Sequence, residues 1–180
     1  MKKSTEKTLC STPVFQVSEK RFKNNAEEVK FTYSVISAPD WVNILAITAE
    51  REIVLVRQFR PGTEEMTLEL PAGVIDLDES PLEAARRELL EETGMHSNHW
   101  VSLGRCSSNP ALMNNHTHLF LAESVVRVAN PHPEESGPLE VFIVSEKDFL
   151  ELVQAEKIDH AIALATVSRW LLRKKDRGGQ

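Results

Sequence analysis

The sequence contains little cysteine and no excess of positive charge. Its two cysteines, Cys10 and Cys106, are far apart and lie outside any C-x-x-C or Cys/His spacing, so the sequence indicates neither a disulfide framework nor a cysteine-based zinc site. We expect two free thiols in a reducing compartment. Acidic residues outnumber basic ones by 27 to 21, the net charge is −6 at pH 7, and there is no basic block, which argues against a nucleic-acid-binding surface.

Long apolar runs are also missing. The longest stretches, such as 53–56 and 161–167, fall far short of the roughly 20 residues that a membrane span requires. The first seven residues include three lysines and a glutamate, and no apolar segment follows them, so we expect no signal peptide, no membrane association and a cytoplasmic location. Hydrophobic residues make up 41% of the 180 residues, which indicates one globular domain with at most a small appendage.

Residues 1–40 are predicted to form an N-terminal β-hairpin. Segments 14–23 and 28–37 are rich in β-branched and aromatic residues, and the turn-like residues 24–26 separate them. Residues 1–13 are polar and are expected to be loose at the very end. The hairpin carries more apolar surface than a two-stranded appendage buries alone, which predicts that it contributes to dimerisation.

Residues 41–180 are predicted to form a mixed α/β domain. Strands outnumber helices, and the helices follow groups of strands instead of alternating with them, which is typical of a sandwich and not of a doubly wound sheet. The continuous apolar runs of two strands indicate that both of their faces are covered. The predicted strands are 41–49, 52–59, 68–70, 100–105, 116–128 and 139–144, and the predicted helices are 81–93, 145–155 and 159–174.

Helix 81–93 carries a cluster of carboxylates. Ser80 suits its N-cap, and on a helical wheel Glu88, Glu91 and Glu92 share one arc of about 100° beside an apolar stripe. Like charges next to a core repel each other unless they take up protons or a cation neutralises them, and hard divalent cations take oxygen ligands. The cluster by itself fits either a solvated acidic face or a site for a divalent cation.

The spacing around this helix matches a longer motif. All fixed positions of a 23-residue pattern are filled. They are Gly73, Glu79, Arg87-Glu88-Leu89, Glu91-Glu92 and Gly94-Met95, and they are separated by five, seven, one and one residues in that order. This segment is similar to the Nudix box, and the chain resembles a Nudix hydrolase. The ADP-ribose pyrophosphatase branch is similar in three flanking features, namely Arg57-Gln58-Phe59-Arg60, Glu69-Leu70-Pro71-Ala72-Gly73, and Pro110 at 16 residues beyond Gly94.

The resemblance implies a fold, a reaction and a cofactor. The fold is an α/β/α sandwich with a mixed central sheet. The reaction is hydrolysis of the pyrophosphate bond of nucleoside diphosphate sugars such as ADP-ribose, with Mg²⁺ or Mn²⁺, which gives a nucleoside monophosphate and a sugar phosphate. The alternatives are a Nudix enzyme for oxidised nucleoside triphosphates, coenzyme A or diadenosine polyphosphates, and a nucleotide-sensing Nudix domain without catalysis. Because this branch commonly forms dimers through crossing N-terminal strands, we expect a homodimer with strand exchange.

The resemblance also implies roles for particular residues. The expected metal ligands are Glu88, Glu92 and the carbonyl of Ala72. The expected catalytic group consists of Glu91, Glu92 and Arg87. The expected substrate-binding residues are Arg60, Arg57, Trp41 and Glu79.

Two of the substrate-binding assignments have structural alternatives. The guanidinium of Arg60 matches the fork geometry of phosphate oxygens, but an arginine at a strand end also pairs with acids. Trp41 at the start of a strand suits stacking on an adenine ring, and it equally suits the core or an interface.

The general base is not assigned by the motif. In the resembling branch, the loop that follows the box usually supplies a glutamate, whereas residues 107–118 of this chain contain no acid. Asn114 and Asn115 stand near the expected position, and an amide is not a useful proton acceptor. The remaining candidates are His116, Glu140 and a glutamate of the box that acts on a metal-bound water.

Overall fold

The structure is a computed structural model that describes residues 2–24, 29–132 and 138–178. The chain divides into two compact units. The first consists of Met1–Asp40 with Ser107–Thr117, and the second of Trp41–Cys106 with His118–Gln180. Among the residues of the described ranges, no helix is long and apolar enough to cross a membrane.

The first unit contains a three-stranded antiparallel sheet in the order β1–β2–β3. Its strands are β1 (Lys2–Ser11), β2 (Gln16–Lys23) and β3 (Val29–Ser37). β2 and β3 pair where the sequence suggests a hairpin, and its turn at 24–26 lies mostly outside the described residues. The sequence predicts two strands here, and β1 is a third strand that it does not predict. Its polar residues have weak strand preference by themselves, but pairing with β2 from Lys3 opposite Phe22 to Ser11 opposite Gln16 supplies the ladder.

The second unit contains an eight-stranded sheet and three helices. The main path of the sheet runs β11–β5–β4–β10–β8, while β6 pairs with β5, β7 with β4 and β9 with β10. The elements are β4 (Trp41–Thr48), β5 (Glu52–Arg60), β6 (Glu65–Glu69), β7 (Ala72–Val74), α1 (Pro81–Thr93), β8 (Met95–His96), β9 (His99–Ser107), β10 (His116–Arg127), β11 (Leu139–Ser145), α2 (Glu146–Gln154) and α3 (Ala161–Gly178).

Helices cover both faces of the central sheet. Alternate residues of β4 and β5 point to opposite faces, so that Ile44 and Val54 pack with α1 while Leu45 and Leu55 pack with α2 and α3. This arrangement explains why both strands have continuous apolar runs. The predicted mixed α/β sandwich with a mixed central sheet is confirmed.

Helix α1 begins and ends where the sequence predicts. The Ser80 hydroxyl accepts the Glu83 N–H at 3.3 Å, and the Ser80 N–H donates to the Glu83 carboxylate at 2.8 Å, which completes a capping box. Gly94 ends the helix in the left-handed region with φ of 69°, and a Cβ there would meet the Ala129 carbonyl oxygen at 2.1 Å. Both caps fix the position of the helix, and with it the positions of the box carboxylates.

A fork in the sheet brings the segment before α1 close to the helix. β4 and β5 pair directly near the turn that joins them, and beyond that point β6 pairs with β5 while β7 pairs with β4. The chain crosses the fork between Glu69, which lies opposite Val56, and Ala72, which lies opposite Asn43. The residues from Glu69 to Gly73 are therefore held by hydrogen bonds to two different strands.

Candidate active site

Two carboxylates of α1, the buried Glu92 and the partly buried Glu88, lie against the backbone of the fork. Glu92 is 5% exposed and accepts the Ala72 N–H at 3.0 Å. Burial raises the pKa of Glu92 to about 8 and the pKa of Glu88 to about 7. A Cβ on Gly73 would lie 2.0 Å from the carboxylate carbon of Glu88, so residue 73 must be glycine for Glu88 to occupy this position.

Arg87 connects the other carboxylates of the box. Its Nη1 donates to Glu88 at 2.8 Å and to Glu91 at 3.1 Å, while Nε and Nη2 donate to the two Glu79 oxygens at 3.0 and 2.9 Å. Nη2 also donates to the Val74 carbonyl at 2.9 Å. The hydrogen bonds from Arg87 lower the pKa of Glu79. Through these hydrogen bonds Arg87 holds three carboxylates at once.

Arg60 forms a bidentate pair with a buried acid. Its Nε and Nη2 donate to the two Glu69 carboxylate oxygens at 2.8 and 2.7 Å. Glu69 is 1% exposed, and although burial raises its pKa, the hydrogen bonds from Arg60 and Thr67 hold the pKa of Glu69 below its usual value. The Arg60 charge also lowers the pKa of Glu92, which shows that the pair lies beside the box carboxylates.

Glu69 is a site residue that the sequence analysis missed. It forms part of the quoted Glu-Leu-Pro-Ala-Gly segment, and the available signal is a carboxylate between two apolar residues of a short strand, Leu68 and Leu70. Residues of this kind are rarely buried unless they are paired. The partner depends on the β5–β6 register, which the local sequence does not show.

Arg57 lies on the opposite face of β5 from Arg60, because the two residues are three positions apart. Its Nη2 donates to both oxygens of Glu140 at 2.9 Å, and its guanidinium lies 5.6 Å from the centre of the Phe142 ring. Arg57 and Phe142 line a groove of about 670 Å³ that also includes Met66. The structure therefore separates Arg57 from Arg60, and it places Glu140 in an ion pair whose side chains are about half exposed.

The two remaining expectations concern Trp41 and the loop after the box. Trp41 is partly buried at the start of β4, opposite Val74. Within the first unit, the Asn114 amide donates to the Ser37 hydroxyl at 2.9 Å and the Asn115 amide donates to the Pro39 carbonyl at 3.0 Å. The two asparagines that stand where a catalytic glutamate was sought therefore hold residues 107–117 against the end of β3.

The donor set of α1 and the fork fits a hard divalent cation. Across residues 2–24, 29–132 and 138–178, no three His, Cys, Asp or Glu side chains are arranged to hold a metal ion. The buried Glu92 and the partly buried Glu88 are nonetheless two carboxylates that repel each other, and the Arg87 guanidinium already supplies positive charge to Glu88. Carboxylates and backbone carbonyls are ligands that Mg²⁺ and Mn²⁺ prefer.

Comparisons with known proteins agree with this geometry. The chain is 31% identical over 165 residues to an ADP-ribose pyrophosphatase of Bacillus subtilis, with 88% of each chain covered. It is 30% identical over 132 residues to a methanol dehydrogenase activator of Bacillus methanolicus, covering 69% of this chain and 70% of the relative. The crystal structure of an ADP compounds hydrolase shares the fold, with a TM-score of 0.82, 23% identity, and coverage of 99% of this chain and 95% of that one.

The family match covers most of the chain. Residues 39–171 match the NUDIX domain, and this range contains the whole of the 23-residue motif and the fork that packs against it. Nudix hydrolases generally use divalent metal ions. The chain belongs to the NUDIX family and is a Nudix hydrolase.

Proposed function

We propose that the protein hydrolyses the pyrophosphate bond of nucleoside diphosphate sugars of the ADP-ribose type, giving a nucleoside monophosphate and a sugar phosphate, with Mg²⁺ as its cofactor. The observation that carries this proposal is the pair of the partly buried Glu88 and the buried Glu92, which lie against Gly73 and Ala72. The names of two relatives, an ADP-ribose pyrophosphatase and an ADP-sugar pyrophosphatase of Mus musculus, support the substrate class.

In this proposal each residue of the site has one task. Glu88, Glu92 and the Ala72 carbonyl bind Mg²⁺, and Mn²⁺ fits the same oxygens. The bound cation supplies charge neutralisation for the pyrophosphate and a lowered pKa for a bound water. Arg60 contacts a phosphate through N–H groups that Glu69 does not use. Arg87 holds Glu79, Glu88 and Glu91 in place.

We assign the general base to Glu91 among the candidates that the sequence leaves open. Among the described residues, Arg87 is the side chain that bonds to the Glu91 carboxylate, at Oε2, so Oε1 is available to accept a proton from the attacking water. Glu140 has both of its oxygens engaged by Arg57. Glu91→Gln should therefore lower kcat and leave KM nearly unchanged, whereas Glu140→Gln should change neither.

A substrate panel in oxygen-18 water tests the reaction. The protein is incubated with Mg²⁺ and ADP-ribose, GDP-mannose, an oxidised nucleoside triphosphate, coenzyme A or diadenosine polyphosphate, and the products are identified by mass spectrometry. We expect fastest cleavage of ADP-ribose, with AMP and ribose 5-phosphate as products and one oxygen-18 atom in one of them. Faster cleavage of a compound from another class would refute the substrate assignment.

We also propose that the protein is a cytoplasmic homodimer that exchanges strands of the first unit. The three-stranded sheet and its connections expose large apolar side chains, and a sheet of this size cannot bury them within itself. These side chains are Leu9, Val14, Phe15, Phe31 and Tyr33. Cys10 and Cys106 are free thiols, which suits a reducing compartment. A monomer mass in light scattering at micromolar concentration would refute the dimer.

A further inference from the structure

We infer that Glu69 is a positioning residue of the active site, which fixes the Arg60 guanidinium so that its remaining N–H groups face the phosphates of the substrate. This inference rests on the proposed function. It gives a role to a buried acid that lies outside the 23-residue motif, and it explains why this acid pairs with a partly exposed arginine.

The geometry of the pair leaves one edge of Arg60 available. A guanidinium has five N–H groups, and Glu69 takes one from Nε and one from Nη2, which leaves three. Two parallel hydrogen bonds fix both the plane and the direction of the guanidinium. The Glu69 side chain is 2% exposed while the Arg60 side chain is 31% exposed, so the pair is closed at the carboxylate and open at the guanidinium.

Glu69 is itself fixed by neighbours. The Thr67 hydroxyl donates to its Oε1 at 2.5 Å, and His160 Nδ1 lies 3.7 Å from its Oε2. Both carboxylate oxygens are therefore engaged, and the hydrogen bonds that lower its pKa keep the group ionised. A carboxylate in this state is a rigid acceptor for Arg60 and a poor candidate for proton transfer.

The pair also determines which carboxylate Arg60 bonds. Among the described residues, the side-chain hydrogen bonds of Arg60 go to Glu69, and the Glu92 carboxylate accepts the Ala72 N–H. The guanidinium is therefore held by Glu69 and not by a carboxylate of α1.

The test combines two substitutions in the Mg²⁺-loaded protein with ADP-ribose as substrate. Glu69→Gln replaces a two-oxygen acceptor by a side chain with one acceptor and one donor, so the bidentate pair is lost. We expect KM to rise by about tenfold, as for the loss of one charge-assisted contact, while kcat changes by less than about threefold. In an Arg60→Lys background there is no planar guanidinium to orient, so the same substitution should change KM by less than about twofold.

Two further variants control for folding. Glu146, the first residue of α2, pairs with Arg51 and Lys174. Glu146→Gln removes this carboxylate and should leave both kcat and KM unchanged. Thr67→Val removes one hydrogen bond from Glu69 without touching Arg60, and a KM increase of about twofold to fivefold is expected even if Glu69→Gln fails to fold. Equal effects of Glu69→Gln in both Arg60 backgrounds, or a loss of kcat at constant KM, would overturn the positioning role.

A spectroscopic readout separates this inference from the substrate assignment. The Arg60 Nε–H should give a slowly exchanging ¹⁵N NMR signal in the wild-type protein, and Glu69→Gln should remove that signal while the signals of the core amides persist. A protein that leaves ADP-ribose intact but shows this behaviour would refute the substrate and support the positioning. Persistence of the signal in the variant would overturn the positioning whatever the substrate is.

Discussion

Replacing Glu92 by glutamine should stabilise the metal-free protein at high pH. Burial raises the pKa of Glu92 from 4.5 to about 8, so the folded chain prefers the protonated carboxyl. The stability that this preference contributes is fully present below about pH 4.5 and is lost as the pH rises through about 8. Glutamine has the shape of the protonated acid, keeps an oxygen for the Ala72 N–H and carries no charge at any pH.

The size of the effect follows from the shift. At about 1.4 kcal/mol per pH unit, a shift from 4.5 to about 8 corresponds to roughly 4 to 5 kcal/mol as an upper limit. Because this figure is an upper limit, we expect the variant to recover on the order of 3 kcal/mol at pH 9. For a chain of this length, that is an increase in Tm of about 6 to 12 °C.

The assay is thermal unfolding followed by circular dichroism in the presence of a chelator. At pH 9 the Glu92→Gln variant should unfold at a clearly higher temperature than the wild type, and at pH 5 the two should agree within about 2 °C. Adding Mg²⁺ should stabilise the wild type and not the variant. Glu151→Gln on the exposed side of α2 is the matched control, because its carboxylate is 62% exposed. A variant that is less stable than the wild type at pH 9 would refute the assignment of Glu92 as a desolvated carboxylate.

Three further substitutions test the surroundings of the site. Gly73→Ala places a Cβ 2.0 Å from the Glu88 carboxylate carbon, so kcat should fall at least about a hundredfold with an unchanged far-ultraviolet spectrum; near-normal kcat would contradict the required close approach. Arg87→Gln leaves three carboxylates without their shared cation and should cost about 1–3 kcal/mol in urea unfolding, less with Mg²⁺. Ser80→Ala removes the N-cap and should cost about 1 kcal/mol while kcat persists.

Local sequence signals were sufficient for α1 and its carboxylates. A capping serine, a proline at the first helical position and a glycine after the last turn lie within one short segment, and each acts on its own neighbours. The arc shared by Glu88 and Glu92 follows from helix geometry alone. For this reason the sequence predicted the bounds of the helix and the grouping of its carboxylates before any tertiary information was considered.

Long-range pairing explains what the sequence analysis missed. β1 is polar, and its strand depends on β2, so nothing in its own composition indicates it. The role of Glu69 depends on the register between β6 and β5, because this register brings Glu69 within hydrogen-bond distance of Arg60. Strand alternation also separates Arg57 from Arg60, since residues three apart in a strand face opposite sides, and a substrate role for Arg57 stays a prediction.

The fork between β4 and β5 makes the geometry of the active site depend on the number of residues in the segment that crosses it. Residues 65–69 and 72–74 each have a fixed partner in a ladder, so one residue inserted in β6 before Leu68 would exchange the inward and outward sets and put Leu68 where Glu69 stands. The turn at 61–64 that precedes β6 carries no such commitment, because its residues lie outside both ladders. Insertions should therefore be tolerated in that turn. A few positions later, within β6, an insertion should abolish activity even where the inserted residue does not contact the substrate.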